Sequence, residues 1–312
     1  MKIAIPESLR RALAGRLPET VQAAWYRGVD DVAAAVRDAE VLVIGFIEAD
    51  EIRLAIESAT SARWVSTHAA GVDHYPIDLL AERNLILTNG TGVNAPPIAE
   101  FVVLCVLSAA KSFPFFAVAS DRREWPTHRP PADELDGARA LVLGYGEIGR
   151  GVGERLRAFG VRVTGVRRTP SEEPDIIGPD EWRARLGEFD YILVTAALTG
   201  ETRHMLGADE FDRMRPSAWI VNVSRGALVD HGALAESLAA GRPRGAYLDV
   251  TEPEPLPAEH PLWRTPNVLI SGHSAGRSPR SQQRYASMFL DNLRRFQSGE
   301  PLLNLVDYSA GY

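Results

Sequence analysis

Leu141-Val-Leu-Gly144-Tyr-Gly146-Glu-Ile-Gly149-Arg150 is the stretch on which the fold turns. A short apolar run leads directly into G-x-G-x-x-G, and the glycines open a helical pattern through Arg155, Leu156 and Phe159. Strand, glycine turn and helix in that order make a pyrophosphate site. The first glycine allows the tight turn, the second lets backbone approach the phosphates, and the third lets the helix pack on the sheet with its N-terminus facing the anion. Gly144, Gly146 and Gly149 are therefore expected to bind a dinucleotide.

Reading onward, the next strand, Val161-Arg-Val-Thr-Gly-Val166, ends in Arg167-Arg168-Thr169, and no carboxylate follows before Glu172. An NAD site wants an acid there for the ribose 2′-hydroxyl, whereas a guanidinium fork pairs with a 2′-phosphate. Arg167 and Arg168 thus predict NADP(H) in preference to NAD(H). Further short runs follow at Tyr191–Val194, Trp219–Val223, Ala246–Val250 and Val268–Ile270, which with Ala140–Leu143 makes six strands of a doubly wound sheet.

Upstream lie Lys2–Ile5, Val41–Ile44, Trp64–Ser66 and Leu85–Thr88, with a helical face at Ile52, Ala55, Ile56 and Ala59. These predict a smaller β/α unit. A long apolar helix from Ala95 to Lys111, stopped by Ser112-Phe-Pro114, would link the two series. A last helix, about Pro279 to Gln297 before Gly299, carries Tyr285, Met288, Phe289, Leu293 and Phe296 at core spacing. The expectation is an α/β protein of two Rossmann-like domains with doubly wound parallel sheets: residues 1–98 plus 278–312 form one domain, residues 99–277 the other, with a cleft between them.

The 312 residues are 45% hydrophobic and 24% charged, which excludes a disordered or fibrous chain. Acidic residues outnumber basic ones, 41 to 34, so no overall positive field exists to gather nucleic acid or an anionic membrane. Cys105 is the single cysteine and sits in an apolar run, read as a buried thiol rather than a disulfide partner. With no signal-peptide pattern at Met1–Pro6 and no spanning apolar stretch, a soluble, cytoplasmic protein is expected.

Three later blocks carry chemistry: Asn222-Val-Ser-Arg225-Gly226-Ala-Leu-Val-Asp230, Leu248-Asp249-Val-Thr-Glu252-Pro-Glu254-Pro-Leu256, and Ser271-Gly-His273-Ser-Ala-Gly276. With Gly71-Val72-Asp73 and Ala99-Glu100 upstream, their order and spacing make the chain resemble the D-isomer-specific 2-hydroxyacid dehydrogenase family over nearly its whole length. Reducing a 2-oxo acid needs a hydride, a proton for the developing alkoxide and a cation for the carboxylate. His273 is the expected proton donor, Glu254 the acid that orients its ring and favours the imidazolium, and Arg225 the substrate clamp. Glu252 is the competing acid; Glu254 is preferred because it directly precedes Pro255-Leu256, as in the family.

The resemblance further implies that amides around Ala70, Gly71 and Val72 hold the substrate carboxylate. It places Glu147, Ile148, Thr195, Ala196 and Val223 around the cofactor, and Asp249 on the nicotinamide amide. It also implies a homodimer with the 95–125 passage at the interface. Where the family often has His-x-Pro-Leu-Thr, this chain reads Thr195-Ala-Ala-Leu-Thr199, a departure in the side chains that leaves the backbone able to serve. Ala70 replaces the lysine of phosphite-oxidising relatives and Glu254 the glutamine of formate-oxidising ones, which disfavours both substrates. No metal-ligand cluster is expected, since His68, Asp73 and His74 are too few. Phe46, Ile47 and Glu48 are candidates for the pocket wall, and His128, His204, His231 and His260 read as surface residues. The leading expectation is an NADPH-preferring reductase of small 2-oxo acids of the glyoxylate or hydroxypyruvate type. An NAD(H)-linked dehydrogenase of a bulkier D-2-hydroxy acid and a dinucleotide sensor without turnover are the alternatives.

Overall fold

The computed structural model describes residues 1–45, 48–169 and 172–309. The chain divides into two compact units, one made of Met1–Asn94 with the segment returning from Ser278, the other of Ala95–Arg277. The division falls at the first residue of the long helix Ala95–Ala110, a few positions before residue 98.

Among its described residues the first unit is built on five parallel strands, β1 (Lys2–Pro6), β2 (Gln22–Tyr26), β3 (Val41–Val43), β4 (Trp64–Ser66) and β5 (Ile86–Thr88), in the order β2-β1-β3-β4-β5. Every residue of β3 and β4 is buried, as expected for central parallel strands covered on both faces. One face packs against the helices Val29–Val36 and Ala49–Ser58 through Val32, Val36, Ile52 and Ile56. The helix Ser281–Ser298 packs on the other through Tyr285, Phe289 and Leu293, with Phe289 stacked on Trp64 at 5.3 Å between ring centroids. Its end is set by Gly299, whose φ of 70° suits the left-handed cap that a Cβ would disfavour.

Strand β2 was not expected from the sequence. Among the described residues it pairs only with β1, at the sheet edge, and Gln22-Ala-Ala-Trp-Tyr26 holds no β-branched residue to mark it. Beyond β5 the chain's last described segment runs alongside, with a bridge from Thr88 to Leu305 and a bond from the Val306 N–H to the Leu87 carbonyl, 2.9 Å.

Among its described residues the second unit carries seven parallel strands: β6 (Arg139–Leu143), β7 (Arg162–Val166), β8 (Ile176–Ile177), β9 (Tyr191–Val194), β10 (Trp219–Asn222), β11 (Gly245–Leu248) and β12 (Val268–Ile270), in the order β12-β11-β10-β9-β6-β7-β8. The sequence expectation of six is corrected by β8, a two-residue edge strand on Gly165 and Val166 that is too short to show a pattern. Order reverses around β6, with β7 on one side and β9 on the other, which places the loop after β6 at a topological switch point. The helix Ala95–Ala110 lies in this unit's core through Ala99, Val102, Cys105 and Val106. Burial pushes the Cys105 thiol up to about 12, keeping it protonated and inert.

The expected stop at Ser112-Phe-Pro114 instead begins a second helix, Phe113–Asp121. Proline at a first turn lacks only an N–H that would have no partner there, so Pro114 opens this helix rather than ending the previous one. No single helix among the described residues is long and apolar enough to cross a membrane; the bent pair Ala95–Ala110 and Phe113–Asp121 together pass that test by length and composition. Phe46 and Ile47 lie outside the described residues, while Glu48 is exposed at the start of the helix Ala49–Ser58.

Candidate active site

The glycine loop is shaped by close approach. Gly144 has φ +97°, and a Cβ on it would sit 2.4 Å from the Ala196 Cα and 2.5 Å from the Ala196 nitrogen. Glycine is required there twice over, by conformation and by space. A Cβ on Gly149 would meet the Gly144 carbonyl oxygen at 2.4 Å, whereas one on Gly146 would meet nothing within 4 Å. The second glycine thus borders open space, as the fit of a pyrophosphate requires, and Glu147 and Ile148 begin the helix Glu147–Arg157 behind it. Thr195 fastens the neighbouring segment, its hydroxyl donating to the Gly144 carbonyl at 2.8 Å and its N–H to the Leu143 carbonyl at 2.8 Å. At the end of β7, Arg167 is half-buried and Arg168 exposed, and the Arg167 N–H is held by the Ile177 carbonyl at 3.1 Å.

From that loop a continuous set of bonds leads to Arg225. The Ser224 hydroxyl donates to the Ala196 carbonyl. Asn222, fully buried at the end of β10, brackets the turn: its Nδ2 donates to the Arg225 carbonyl at 2.9 Å and its Oδ1 accepts the Ser224 N–H at 3.1 Å. Val223 is held by its N–H on the Val194 carbonyl, 3.3 Å. The Arg225 guanidinium itself donates to the Ser224 carbonyl at 2.9 Å.

His273 and Glu254 meet directly, Nδ1 to Oε2 at 2.8 Å. A carboxylate only accepts, so Nδ1 carries the proton of this bond and Nε2 is left as the outward-acting nitrogen. The other oxygen of Glu254 takes the Thr251 N–H at 3.0 Å, which fixes the carboxylate. Glu252 is engaged elsewhere, with Arg203 at 2.7 Å and His204 at 3.4 Å. The Arg203 guanidinium holds the Glu252 carboxyl below the usual range. More than half of the His273 side chain, 55%, is exposed, leaving the ring open to a ligand. Asp249, at the end of β11, is buried and bonded to the loop that carries His273.

A family model for the NAD binding domain of D-isomer-specific 2-hydroxyacid dehydrogenases matches residues 103–275. The chain belongs to that family. A glyoxylate reductase of Korarchaeum cryptofilum is 32% identical over 87% of this chain and 84% of its own length. A D-3-phosphoglycerate dehydrogenase of Methanocaldococcus jannaschii is 30% identical over 89% of this chain, which spans only 53% of that relative. Among solved structures, a D-isomer-specific 2-hydroxyacid dehydrogenase of Xanthobacter autotrophicus in complex with NADPH superposes with a TM-score of 0.84 at 27% identity, covering 100% of this chain and 99% of that one. The protein is therefore an NAD(P)-dependent 2-hydroxyacid dehydrogenase by family, with two Rossmann-like domains.

In the first unit of this dehydrogenase, Ala70 is exposed, Gly71 half-buried and Val72 buried in the core. Their loop is fastened from beneath. Asn89, buried after β5, donates from Nδ2 to the Ala70 carbonyl at 2.9 Å, and the Gly90 N–H donates to the Ala69 carbonyl at 2.8 Å. Gly90 must be glycine, since a Cβ there would lie 1.9 Å from the His68 carbonyl oxygen.

Asn89, Asn222, Thr251 and Gly226 have no site role in the sequence reading; for the two asparagines, an amide at the end of a predicted strand was the available signal. One histidine reading is corrected: His231 is buried, not at the surface, with Nδ1 accepting the Glu252 N–H at 3.3 Å. It opens the helix His231–Ala239, where the 251–254 loop covers it, and burial holds its pKa below the usual value. Among the described residues no group of three or more His, Cys, Asp or Glu side chains could hold a metal ion.

Proposed function

We propose that the protein is an NADPH-preferring reductase of small 2-oxo acids, with glyoxylate and hydroxypyruvate as the first candidates, yielding D-2-hydroxy acids. The observation that carries the reading is the His273–Glu254 pair at 2.8 Å with the second Glu254 oxygen on the Thr251 N–H. When bound, the reduced nicotinamide supplies the hydride. His273, as the imidazolium, delivers its Nε2 proton to the oxygen that becomes the hydroxyl and is left neutral with its proton on Nδ1, where Glu254 accepts the hydrogen bond and fixes the orientation of the ring. Arg225 pairs with the substrate carboxylate and polarises the carbonyl, and the amides of Ala70, Gly71 and Val72 share the carboxylate.

Residues 99–277 would serve the coenzyme, and residues 1–98 with 278–312 the substrate. Gly144, Gly146, Glu147, Ile148 and Gly149 would hold the pyrophosphate; Thr195, Ala196 and Val223 would line the adjoining segment. Arg167 and Arg168 stand where an NAD site has its acid, and they favour the 2′-phosphate of NADP(H). The glyoxylate reductase relative supports the substrate class, and the Xanthobacter autotrophicus relative in complex with NADPH supports the cofactor. A homodimer is part of the reading, supported by the exposed Leu104, Phe113, Phe115, Val118 and Trp125. The reduced, buried Cys105 suits a cytoplasmic setting.

Steady-state kinetics with NADPH and NADH, across glyoxylate, hydroxypyruvate, pyruvate and longer 2-oxo acids, tests the proposal. Higher kcat/KM with NADPH on a small 2-oxo acid is expected. Equal or better efficiency with NADH removes the cofactor preference, and tight cofactor binding without consumption on any of these acids removes the reductase assignment.

A further inference from the structure

Asp249 is tied to the loop of His273 at almost every residue. Its Oδ1 accepts the Ser271 hydroxyl at 2.7 Å, the Ser274 N–H at 2.7 Å and the Ala275 N–H at 3.1 Å. Its Oδ2 shares the Ala275 N–H at 3.0 Å, and its main-chain carbonyl accepts the His273 N–H at 2.5 Å. The residue is almost fully buried, 3% exposed. Successive N–H groups around a left-handed bend form an anion-holding concavity, and here the anion is the protein's own.

Such an anchor has a purpose. Gly272 and His273 have φ of +63° and +54°, so two consecutive residues are left-handed and the second carries a Cβ. That conformation is unfavourable for histidine and persists only where its surroundings hold it. Asp249 holds it from both sides, through Ser271 before the bend and Ser274 and Ala275 after it. The bend is what delivers the His273 ring to Glu254.

We infer that Asp249 is a positioning residue for His273: its carboxylate fixes the left-handed loop 271–275, and through it the ring that delivers the proton. This rests on the proton-donor role proposed for His273. The family resemblance puts Asp249 on the nicotinamide amide instead; Oδ1 is already filled within the loop, while Oδ2, which only shares the Ala275 N–H, has room for a further donor, so the positioning role has to be told apart by experiment.

The two roles predict different kinetics. If Asp249 acts through His273, Asp249→Asn lowers kcat on the order of 10²-fold, the usual cost of displacing a reacting group by about 1 Å. The dissociation constant of NADPH, read by protein fluorescence, then stays within about 3-fold of wild type, and in a His273→Gln background Asp249→Asn adds less than about 3-fold further loss. Ser271→Ala, which removes one bond and leaves the carboxylate, gives a smaller loss with the same non-additivity and serves if Asp249→Asn does not fold.

A rise in the NADPH dissociation constant that matches the fall in kcat/KM, or a full multiplicative loss on top of His273→Gln, overturns the inference. Amide exchange at Ser274 and Ala275 reads the anchor without activity and is expected to quicken in Asp249→Asn. Wild-type protein that reduces no 2-oxo acid defeats the proposed function alone; unchanged exchange in the variant then defeats the anchor as well.

Discussion

Replacing Gly226 by alanine should uncouple Glu254 from His273 without touching either. Gly226 is buried, follows Arg225 directly and has no positive φ, so its requirement for glycine is one of space. A Cβ on it would lie 2.0 Å from the Thr251 carbonyl carbon, 2.1 Å from its oxygen and 2.5 Å from the Glu252 nitrogen. Carbon atoms pack at about 3.5–4.0 Å, so the Thr251 backbone must retreat by about 1.5 Å or the Arg225 turn must swing out. The Thr251 N–H is the donor that holds Glu254 at 3.0 Å, and a retreat of that size takes it well past hydrogen-bond range. Overpacking of this kind costs about 1–3 kcal/mol of stability. The larger effect falls on turnover, with kcat/KM expected to drop on the order of 10²-fold, because the carboxylate that orients His273 and the turn that carries Arg225 are displaced together. Steady-state NADPH consumption beside urea unfolding measures both. A Gly226→Ala protein with kcat/KM within about 3-fold of wild type would refute the reasoning.

Removing both guanidinium groups in Arg167→Ala/Arg168→Ala should lower the NADPH-to-NADH ratio of kcat/KM by about 10- to 100-fold, the worth of one or two charge-assisted bonds to phosphate; an unchanged ratio would show that the 2′-phosphate is held elsewhere. Asn89→Ala frees the Ala70 carbonyl and should raise KM for the 2-oxo acid by about 10-fold, with the NADPH dissociation constant unmoved. Burial holds His68 and His231 below their usual value of 6.5, so the unfolded chain binds more protons than the folded one between each lowered pKa and 6.5. Stability is therefore full above about pH 6.5 and declines as pH falls through the lowered values, and the urea midpoint should be lower at about pH 5.5 than at about pH 7.5, with a smaller drop in His231→Asn.

What the sequence made legible follows from how the fold is built. The strand, glycine turn and helix at 141–159 can be read because each glycine answers a local demand, and Gly144 and Gly149 both meet backbone too closely for a Cβ. The central strands are legible as unbroken apolar runs. Of the edge strands, β5 and β12 are read as apolar runs but two are not: β2 has no β-branched residue, and β8 is two residues long. Pro114 reads as the end of one helix, but a proline suits a first turn as well, and the structure uses it to start the next.

The order and spacing of the three blocks suggested Arg225, Glu254 and His273, and parallel pairing puts the ends of β10, β11 and β12 side by side. The partners that fix these groups were hidden because each bond has a main-chain N–H or carbonyl at one end, and every residue carries those groups. Thr251 on Glu254, Asn222 on the Arg225 turn and Asp249 on the His273 loop are of this kind. His231 was misread for a related reason, since only the fold of the 251–254 loop over its ring makes it a buried residue.

The most direct test compares NADPH consumption on glyoxylate and hydroxypyruvate by wild type, Glu254→Gln and Glu252→Gln. Saturable turnover by wild type, lost by at least about 10²-fold in Glu254→Gln and retained within about 3-fold in Glu252→Gln, is the predicted result. No turnover by wild type on either acid, or a loss that follows Glu252 rather than Glu254, would contradict the account.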